Sequence, residues 1–310
     1  MSTRSASLTA YAKINLGLRV LYKRPDNYHE LRTVFHTISL ADRLEIHWTP
    51  GPVTEIEIEG APHIPDNLVE RAGRLFLETM GLTGRIGFAL HKNIPSGAGL
   101  GGGSSDAAAV LLALPVLTGT IVPCATLADV AARLGSDIPF FLHGGAALGL
   151  GRGEELYPLP DLPPAIGILV APAIHSSTPD AYRDLSGQLT SNQLQNKLDR
   201  FQQEVWTGDI PADSNDFESV VFARHPVLKQ LKNQLLSHGA HPAAMSGSGS
   251  SLYGFFPSVQ AAAQARTAFD GHPTFPFSLV NRAQYRAAWL NALESHTQGN
   301  EWPPRSRYAQ

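Results

Sequence analysis

Pro95-Ser96-Gly97-Ala98-Gly99-Leu100-Gly101-Gly102-Gly103-Ser104-Ser105-Asp106 runs without a break into Ala107-Ala108-Ala109-Val110-Leu111-Leu112. Glycines without a Cβ reach positive φ and let backbone N–H groups come close to a ligand. The alanine-rich stretch behind them is a strong helix former, so the loop opens onto a helix N-terminus. That end carries unpaired N–H groups and the positive pole of the helix dipole, which together favour a phosphate. Ser104 and Ser105 are placed either to cap the helix or to hydrogen-bond an anion. The segment reads as a polyphosphate cradle, with a ligand-free glycine turn as the plainer alternative.

Two familiar glycine motifs fit it poorly. A P-loop needs Lys followed by Ser or Thr after its glycines, and here Gly103 is followed by Ser104-Ser105-Asp106. Gly97 to Gly102 satisfies G-x-G-x-x-G, the dinucleotide fingerprint. That fingerprint also requires an acidic residue about twenty positions on, at the end of a second strand. Asp106 comes too early for that, and Asp129 lies in a helix-like stretch. A nicotinamide-dependent oxidoreductase is therefore the remote reading.

The chain before and after the loop is that of an ordinary globular protein. Its 310 residues suffice for two compact units, and 43% hydrophobic with 16% charged residues describes a folded chain. A net charge of −3 gives no global basic field, so neither nucleic acid nor an anionic membrane is an expected partner. The one cysteine, Cys124, excludes an internal disulfide framework and suits a reducing compartment. No apolar run approaches the ~20 residues of a spanning helix, and the N-terminus lacks a signal-peptide pattern. The expected location is the cytoplasm.

Upstream, Leu8, Ala10, Ala12, Ile14, Leu16, Leu18 and Val20 alternate with Tyr11, Lys13, Asn15, Gly17 and Arg19, the pattern of a half-buried strand. After a turn at Arg24–Asn27, extended stretches are expected near 32–40, 43–48 and 55–58. A helix is expected at 67–80, closed by Gly81, and a strand at 85–91 feeding the glycine loop. Downstream come helices at 106–117 and 127–134. Pro160-Asp161-Leu162-Pro163-Pro164 marks a boundary, because prolines continue neither element. Beyond it lie a strand at 165–171, much helix in 180–236, strand-like residues around a Gly/Ser loop at 245–256, a helix at 259–269 and a strand at 277–281. The organisation expected is an N-terminal unit over 1–160, a C-terminal unit over 161–295, and a disordered tail over 296–310.

Candidate chemistry is scattered along this map. Lys13 and Asn15 share one face of the first strand, roughly 6.5–7 Å apart, as a cation and amide facing a ligand or as a solvated face. Asp137, in Gly135-Ser136-Asp137-Ile138-Pro139-Phe140-Phe141, either caps a short helix or accepts a hydroxyl proton near the phosphate loop. Tyr28-His29 follows a turn and Tyr182 follows Ser-Ser-Thr-Pro-Asp, where aromatics can stack on a base. Met245-Ser246-Gly247-Ser248-Gly249-Ser250-Ser251 is a second donor-rich loop or a hairpin turn. Lys92 lies either near an adenine or in solvent. Asp106 is so close to the cradle that it has to point away from a bound polyphosphate, cap the helix or share in holding Mg²⁺.

These pieces together resemble the kinase superfamily named after galactokinase, homoserine kinase, mevalonate kinase and phosphomevalonate kinase, the GHMP kinases. Ala12-Lys13-Ile14-Asn15-Leu16, Pro95–Ser105 and Met245–Ser251 carry that resemblance in order. Arg24–Leu31, Gly135–Phe141 and Asn215-Asp216-Phe217-Glu218 narrow it to a member acting on a cytidine-diphosphate-linked polyol, on the non-mevalonate route to isoprenoid precursors. The likeness spans about Ala10 to Asn281. It implies an α+β, two-domain fold: an N-terminal domain like ribosomal protein S5 domain 2 and a ferredoxin-like C-terminal domain, with the active site between them. It implies ATP with Mg²⁺, the nucleotide lying along Pro95, Ser96, Gly97, Ala98, Gly99, Leu100, Gly101, Gly102, Gly103, Ser104 and Ser105. Lys13 and Asp137 become catalytic. Asn15 and His29 become hydrogen-bonding partners of the acceptor, and Tyr28 and Tyr182 a sandwich for its cytosine. The main alternative is a relative acting on homoserine, a mevalonate derivative or a sugar. The resemblance names no metal ligands.

Overall fold

The computed structural model describes residues 2–60, 66–187, 191–207, 214–299 and 301–309. The first unit runs β1 (Arg4–Lys23), β2 (His29–Pro50), β3 (Glu55–Glu59), α1 (Leu68–Met80), β4 (Gly84–His91), α2 (Gly102–Thr118), α3 (Cys124–Leu134), α4 (Ile138–Phe141), β5 (Ala146–Leu150) and β6 (Glu155–Pro158). The second runs β7 (Ile166–Val170), α5 (Thr178–Ser186), α6 (Ser191–Thr207), α7 (Phe217–Arg224), α8 (Pro226–Ser237), β8 (Ala243–Met245), β9 (Leu252–Phe256), α9 (Val259–Arg266) and β10 (Thr274–Ser278). A last helix, α10 (Arg282–Leu293), follows. Residues 188–190 and 208–213, inside the stretch expected to be helical, lie outside the described residues.

The first sheet has the order β3-β4-β2-β5-β6, with β1 paired to β2. Among the described residues its one parallel pairing is β3 with β4. A dinucleotide fold needs a largely parallel sheet around its fingerprint, so the oxidoreductase reading is corrected here. The second sheet, β10-β7-β9-β8, is antiparallel throughout. The expected α+β architecture is what the chain forms.

The long β1–β2 ribbon governs the site. Leu8, Ala10, Ala12, Ile14, Leu16, Leu18 and Val20 are all buried, as their alternation predicts. Half-burial fails beyond Ala12, because Lys13, Asn15 and Arg19 on the opposite face are buried as well. The second unit covers that face: Tyr253 Oη donates to Asn15 O (2.8 Å) and Leu18 N donates to Ser214 O (2.8 Å). The two stretches expected within 32–48 are one strand, β2. It stays continuous because β5 pairs with its first part and β4 with its second.

α2 starts at Gly102, before the expected position, with Gly101 in the left-handed region (φ 69°) as its cap. No side chain caps it, so neither Ser104 nor Ser105 plays that part. The helix is buried continuously from Ser105 to Leu117, an apolar cylinder in the middle of the unit. The strand expected at 277–281 lies at 274–278, where pairing with β7 holds it. The end of the chain also departs from expectation. Val280, Tyr285, Trp289 and Leu293 join the core of the first unit. The tail is placed too: Ser306 Oγ donates to Val116 O (2.7 Å) at the far end of α2, and the Arg4 guanidinium lies 3.5 Å from the centre of the Tyr308 ring. These contacts, invisible in its polar and proline-rich composition, set Ser306 and Tyr308 against the first unit.

Candidate active site

A cleft of about 1230 Å³ opens where the two units meet. A pocket for one small ligand spans ~300–1,000 Å³, so there is room for two substrates side by side. Gly97, Gly99, Gly101 and Ser104 form one wall, with φ of 66°, 78° and 69° at the three glycines. Ala98, Leu100 and Ser105 turn inward and are buried, while Pro95, Ser96, Gly102 and Gly103 flank the wall. The N–H groups from Gly99 to Ser104 find no acceptor among the described residues, and the first to be satisfied is Ser105 N on Gly101 O (2.8 Å). Unpaired donors at the start of a long helix make an anion site.

Opposite the loop, β1 and the start of α4 bring two charges together. Lys13 Nζ lies 3.5 Å from Asp137 Oδ2. It also donates to Asn15 Oδ1 (2.7 Å) and Gly99 O (3.0 Å), so all three of its hydrogens are directed. Asp137 stands at the N-cap position of α4, yet its side chain makes no capping bond and faces Lys13 instead. Capping, the plainer reading of that carboxylate, is not what it does. Asn15, expected against the acceptor, spends its amide inside the protein: Nδ2 donates to Thr33 Oγ1 (2.9 Å) while Oδ1 orients Lys13. The loop is pressed close here. A Cβ on Gly101 would fall 2.8 Å from the Phe141 ring and 3.2 Å from Lys13 Cγ.

The other end of the cleft is aromatic. His29 stacks on Tyr182 with ring centres 4.8 Å apart, and Tyr182 meets Phe217 edge-on at 4.8 Å. Tyr182 thus turns its face to His29, and both it and Tyr28 line the cleft. Tyr28 is exposed, with the Arg152 guanidinium 4.6 Å over its ring. Ser186 Oγ donates to Tyr182 O (2.6 Å) and so accepts from His29 Nε2–H (2.6 Å). That leaves Nδ1 as the acceptor of a neutral ring. Burial, with Lys23 adding to it, lowers the His29 pKa and favours this neutral form. Burial also raises the Tyr182 hydroxyl, helped by the nearby Asp137 carboxylate.

The Met245–Ser251 loop joins β8 to β9 and closes against the glycine loop. Ser246 Oγ donates to Gly99 O (2.9 Å), and Asn215 Nδ2 donates to Met245 O (2.8 Å) and Gly247 O (2.7 Å). Lys92 is partly buried and pairs with Asp42 and Asp106. Asp106 accordingly points away from the cradle. Sequence reasoning did not single out Arg152, His175 or Asp42. Arg152 sits in Gly151-Arg152-Gly153, and a cation flanked by glycines was the signal available. His175 lines the cleft beside Gly97 with no local cue, and Asp42 reads as an ordinary strand-surface acid.

Comparison with known proteins agrees with this geometry. Residues 67–145 match the family model described as GHMP kinases N terminal domain, and residues 198–272 match GHMP kinases C terminal. The 4-diphosphocytidyl-2-C-methyl-D-erythritol kinase of Solibacter usitatus (strain Ellin6076) is 55% identical across 99% of both chains. The chain belongs to the 4-diphosphocytidyl-2-C-methyl-D-erythritol kinases, within the GHMP kinase family. The kinase of the same name from Geobacter sulfurreducens is 40% identical, covering 84% of this chain and 94% of that one. A crystal structure of a 4-(cytidine 5'-diphospho)-2C-methyl-D-erythritol kinase superposes with a TM-score of 0.74 at 37% identity, covering 88% of this chain and 98% of the other. Homoserine kinase from Cytophaga hutchinsonii superposes with a TM-score of 0.70 at 19% identity, covering 91% and 96%, and that likeness concerns the fold.

Proposed function

We propose that this kinase moves the γ-phosphoryl of ATP onto the C2 hydroxyl of 4-diphosphocytidyl-2-C-methyl-D-erythritol, giving the 2-phosphate for the non-mevalonate isoprenoid pathway. The observation that carries the reading is the Lys13–Asp137 pair at 3.5 Å, set between an open glycine loop and an aromatic pocket in one cleft. The triphosphate lies along Pro95–Ser105 on the unpaired N–H groups. Asp137 orients the C2 hydroxyl and takes its proton as that oxygen bonds to the γ-phosphorus and the bond to ADP breaks. Phosphoryl transfer is largely loose in character, so positioning by Asp137 weighs as much as its basicity. Lys13, held by Asn15 and Gly99 O, offsets charge gathering on the transferred group.

Mg²⁺ would accompany the nucleotide. Among the described residues no group of three His, Cys, Asp or Glu forms a metal cage. Mg²⁺ keeps waters and binds mostly through phosphates and one or two protein oxygens, and the cleft-facing Ser104 hydroxyl and Asp137 carboxylate fit that demand. When bound, the ion neutralises charge on the β- and γ-phosphates. At the other end, the His29 Nδ1 lone pair accepts from the cytosine amino group, Tyr28 covers the base, and Arg152 and Tyr182 close the pocket around it. A site that hydrogen-bonds a base edge rejects analogues lacking that edge. No helix among the described residues is long and apolar enough to cross a membrane, and we place the enzyme in the cytoplasm.

The test is ADP release from ATP with the cytidylated methylerythritol or with the bare polyol, beside homoserine, mevalonate and galactose. Turnover confined to the cytidylated compound supports the reading. Faster turnover on any of the others would replace it with another alcohol kinase.

A further inference from the structure

The two ends of the glycine loop are fastened to one buried charge cluster. Asp42, midway along β2, is 1% exposed. Its Oδ1 accepts from Asn93 N (2.6 Å) and Ile94 N (2.8 Å), the residues that lead into the loop. Its Oδ2 accepts from Lys92 Nζ, and the same ammonium donates to Asp106 Oδ2 (2.7 Å) in the second turn of α2. A Cβ on Gly102 would come within 3.3 Å of Lys92 Nζ and 3.0 Å of Ile94, so this cation rests against the first residue of the helix. Strand end, loop start and helix start therefore converge on one ammonium.

The electrostatics draw the three groups together. Burial works against the Lys92 charge, but the Asp106 and Asp42 carboxylates outweigh it and hold the pKa above the usual lysine value. Burial pushes Asp106 up to about 7 despite the attraction of Lys92. Breaking such a pair from one side strands the remaining charge, which is costly in an interior. A cradle of N–H groups, moreover, works only when its donors are already aimed.

We propose that Lys92 is a positioning residue, joining Asp42 to Asp106 so that the N–H groups from Gly99 to Ser104 are preset for the nucleotide's phosphates. This rests on reading the glycine loop as the ATP site. Lys92 touches no substrate in this role. Its effect is confined to one end of the cleft, because the cluster lies behind the loop and away from His29, Tyr28 and Tyr182.

Lys92→Met tests the idea through two readouts, amide hydrogen exchange across residues 96–104 and a split of the two Michaelis constants. The expected result is faster exchange in that segment and a KM for ATP raised roughly tenfold, with KM for the cytidine substrate changed less than about twofold. Lys92→Arg, which can still bridge two carboxylates, should restore most of the ATP affinity. Should Lys92→Met fail to fold, Asp42→Asn is the second variant. It keeps an acceptor for Asn93 and Ile94 while losing the carboxylate that Lys92 needs, and the same segment should loosen. Unchanged exchange, or a lower melting temperature with both Michaelis constants intact, overturns the proposal. Loosened amides with an unchanged KM for ATP would instead remove the nucleotide from this loop and leave the tie itself standing.

Discussion

Two loops of small residues, one richer in glycine and the other in serine, face each other across the seam between the units, and they are built differently. Pro95–Gly101 leads into a helix of four to five turns, and the N–H groups from Gly99 to Ser104 stay unspent. Met245–Ser251 links two short strands, and several of its polar groups are tied down: Asn215 takes the carbonyls of Met245 and Gly247, and Ser246 grips Gly99 O. In the reading proposed above the first is the anion site, and the second is the fastener that grips it through Ser246. They differ in the element that follows, since the first opens a long helix whose start leaves consecutive N–H groups unpaired, and the second turns straight into a strand.

That contrast can be broken most directly at the charge pair opposite the open loop. Lys13→Ala and Asp137→Ala should each lower kcat by about 10²–10⁴-fold while calorimetry still registers nucleotide binding; near-native turnover in either variant would remove the pair from the chemistry. Next in size is Gly99→Ala. The new Cβ would sit 2.2 Å from Ser246 O at a φ of 78°, so the loops must part, and KM for ATP should rise more than about tenfold. Gly247→Ala has its nearest neighbours at 3.4 Å and faces only the strain of φ 58°, about 1–2 kcal/mol in urea unfolding. Equal losses at the two glycines would erase the distinction drawn here.

Asn215→Ala probes the fastener by itself. It deletes two buried bonds to carbonyls and should cost about 2–3 kcal/mol of stability in urea, with KM for ATP moving only a few-fold. The smallest effect concerns the aromatic end. His29→Ala should raise KM for the cytidine substrate and spare ATP. Because burial lowers the His29 pKa from 6.5, the neutral ring persists through that value. KM for the cytidine substrate should therefore be flat from pH 8 to 6.5 and climb only in more acidic buffer, where the ring gains a proton. A rise beginning above pH 6.5 would mean that another group reads the base.

Much of this was legible in the sequence because it is local. The alternation from Leu8 to Val20, the Asn67 start and Gly81 stop of α1, and the change from glycine to alanine at the head of α2 each express a short-range rule. What sequence could not express is what a distant segment does to a face. Lys13 and Asn15 read as facing either a ligand or solvent, because nothing near them announces that Tyr253 and Ser246 will cover them. Lys92 and Asp106 looked like a stray cation and an awkward acid until Asp42, from another strand, joined them. The resemblance suggested Tyr28 and Tyr182 around a cytosine, and nothing in the local sequence indicated that Tyr182 stacks on His29.

The path of the backbone through the two cores carries one more consequence. The polypeptide departs from the first core after β6 and rejoins it at Val280, so the second unit is an insertion held at both its ends. A protease cutting within Pro160–Pro164 would sever only one tether. The fragments should migrate separately in denaturing gels yet elute together from a sizing column, joined by the remaining crossing and by the tail cinched beneath α2.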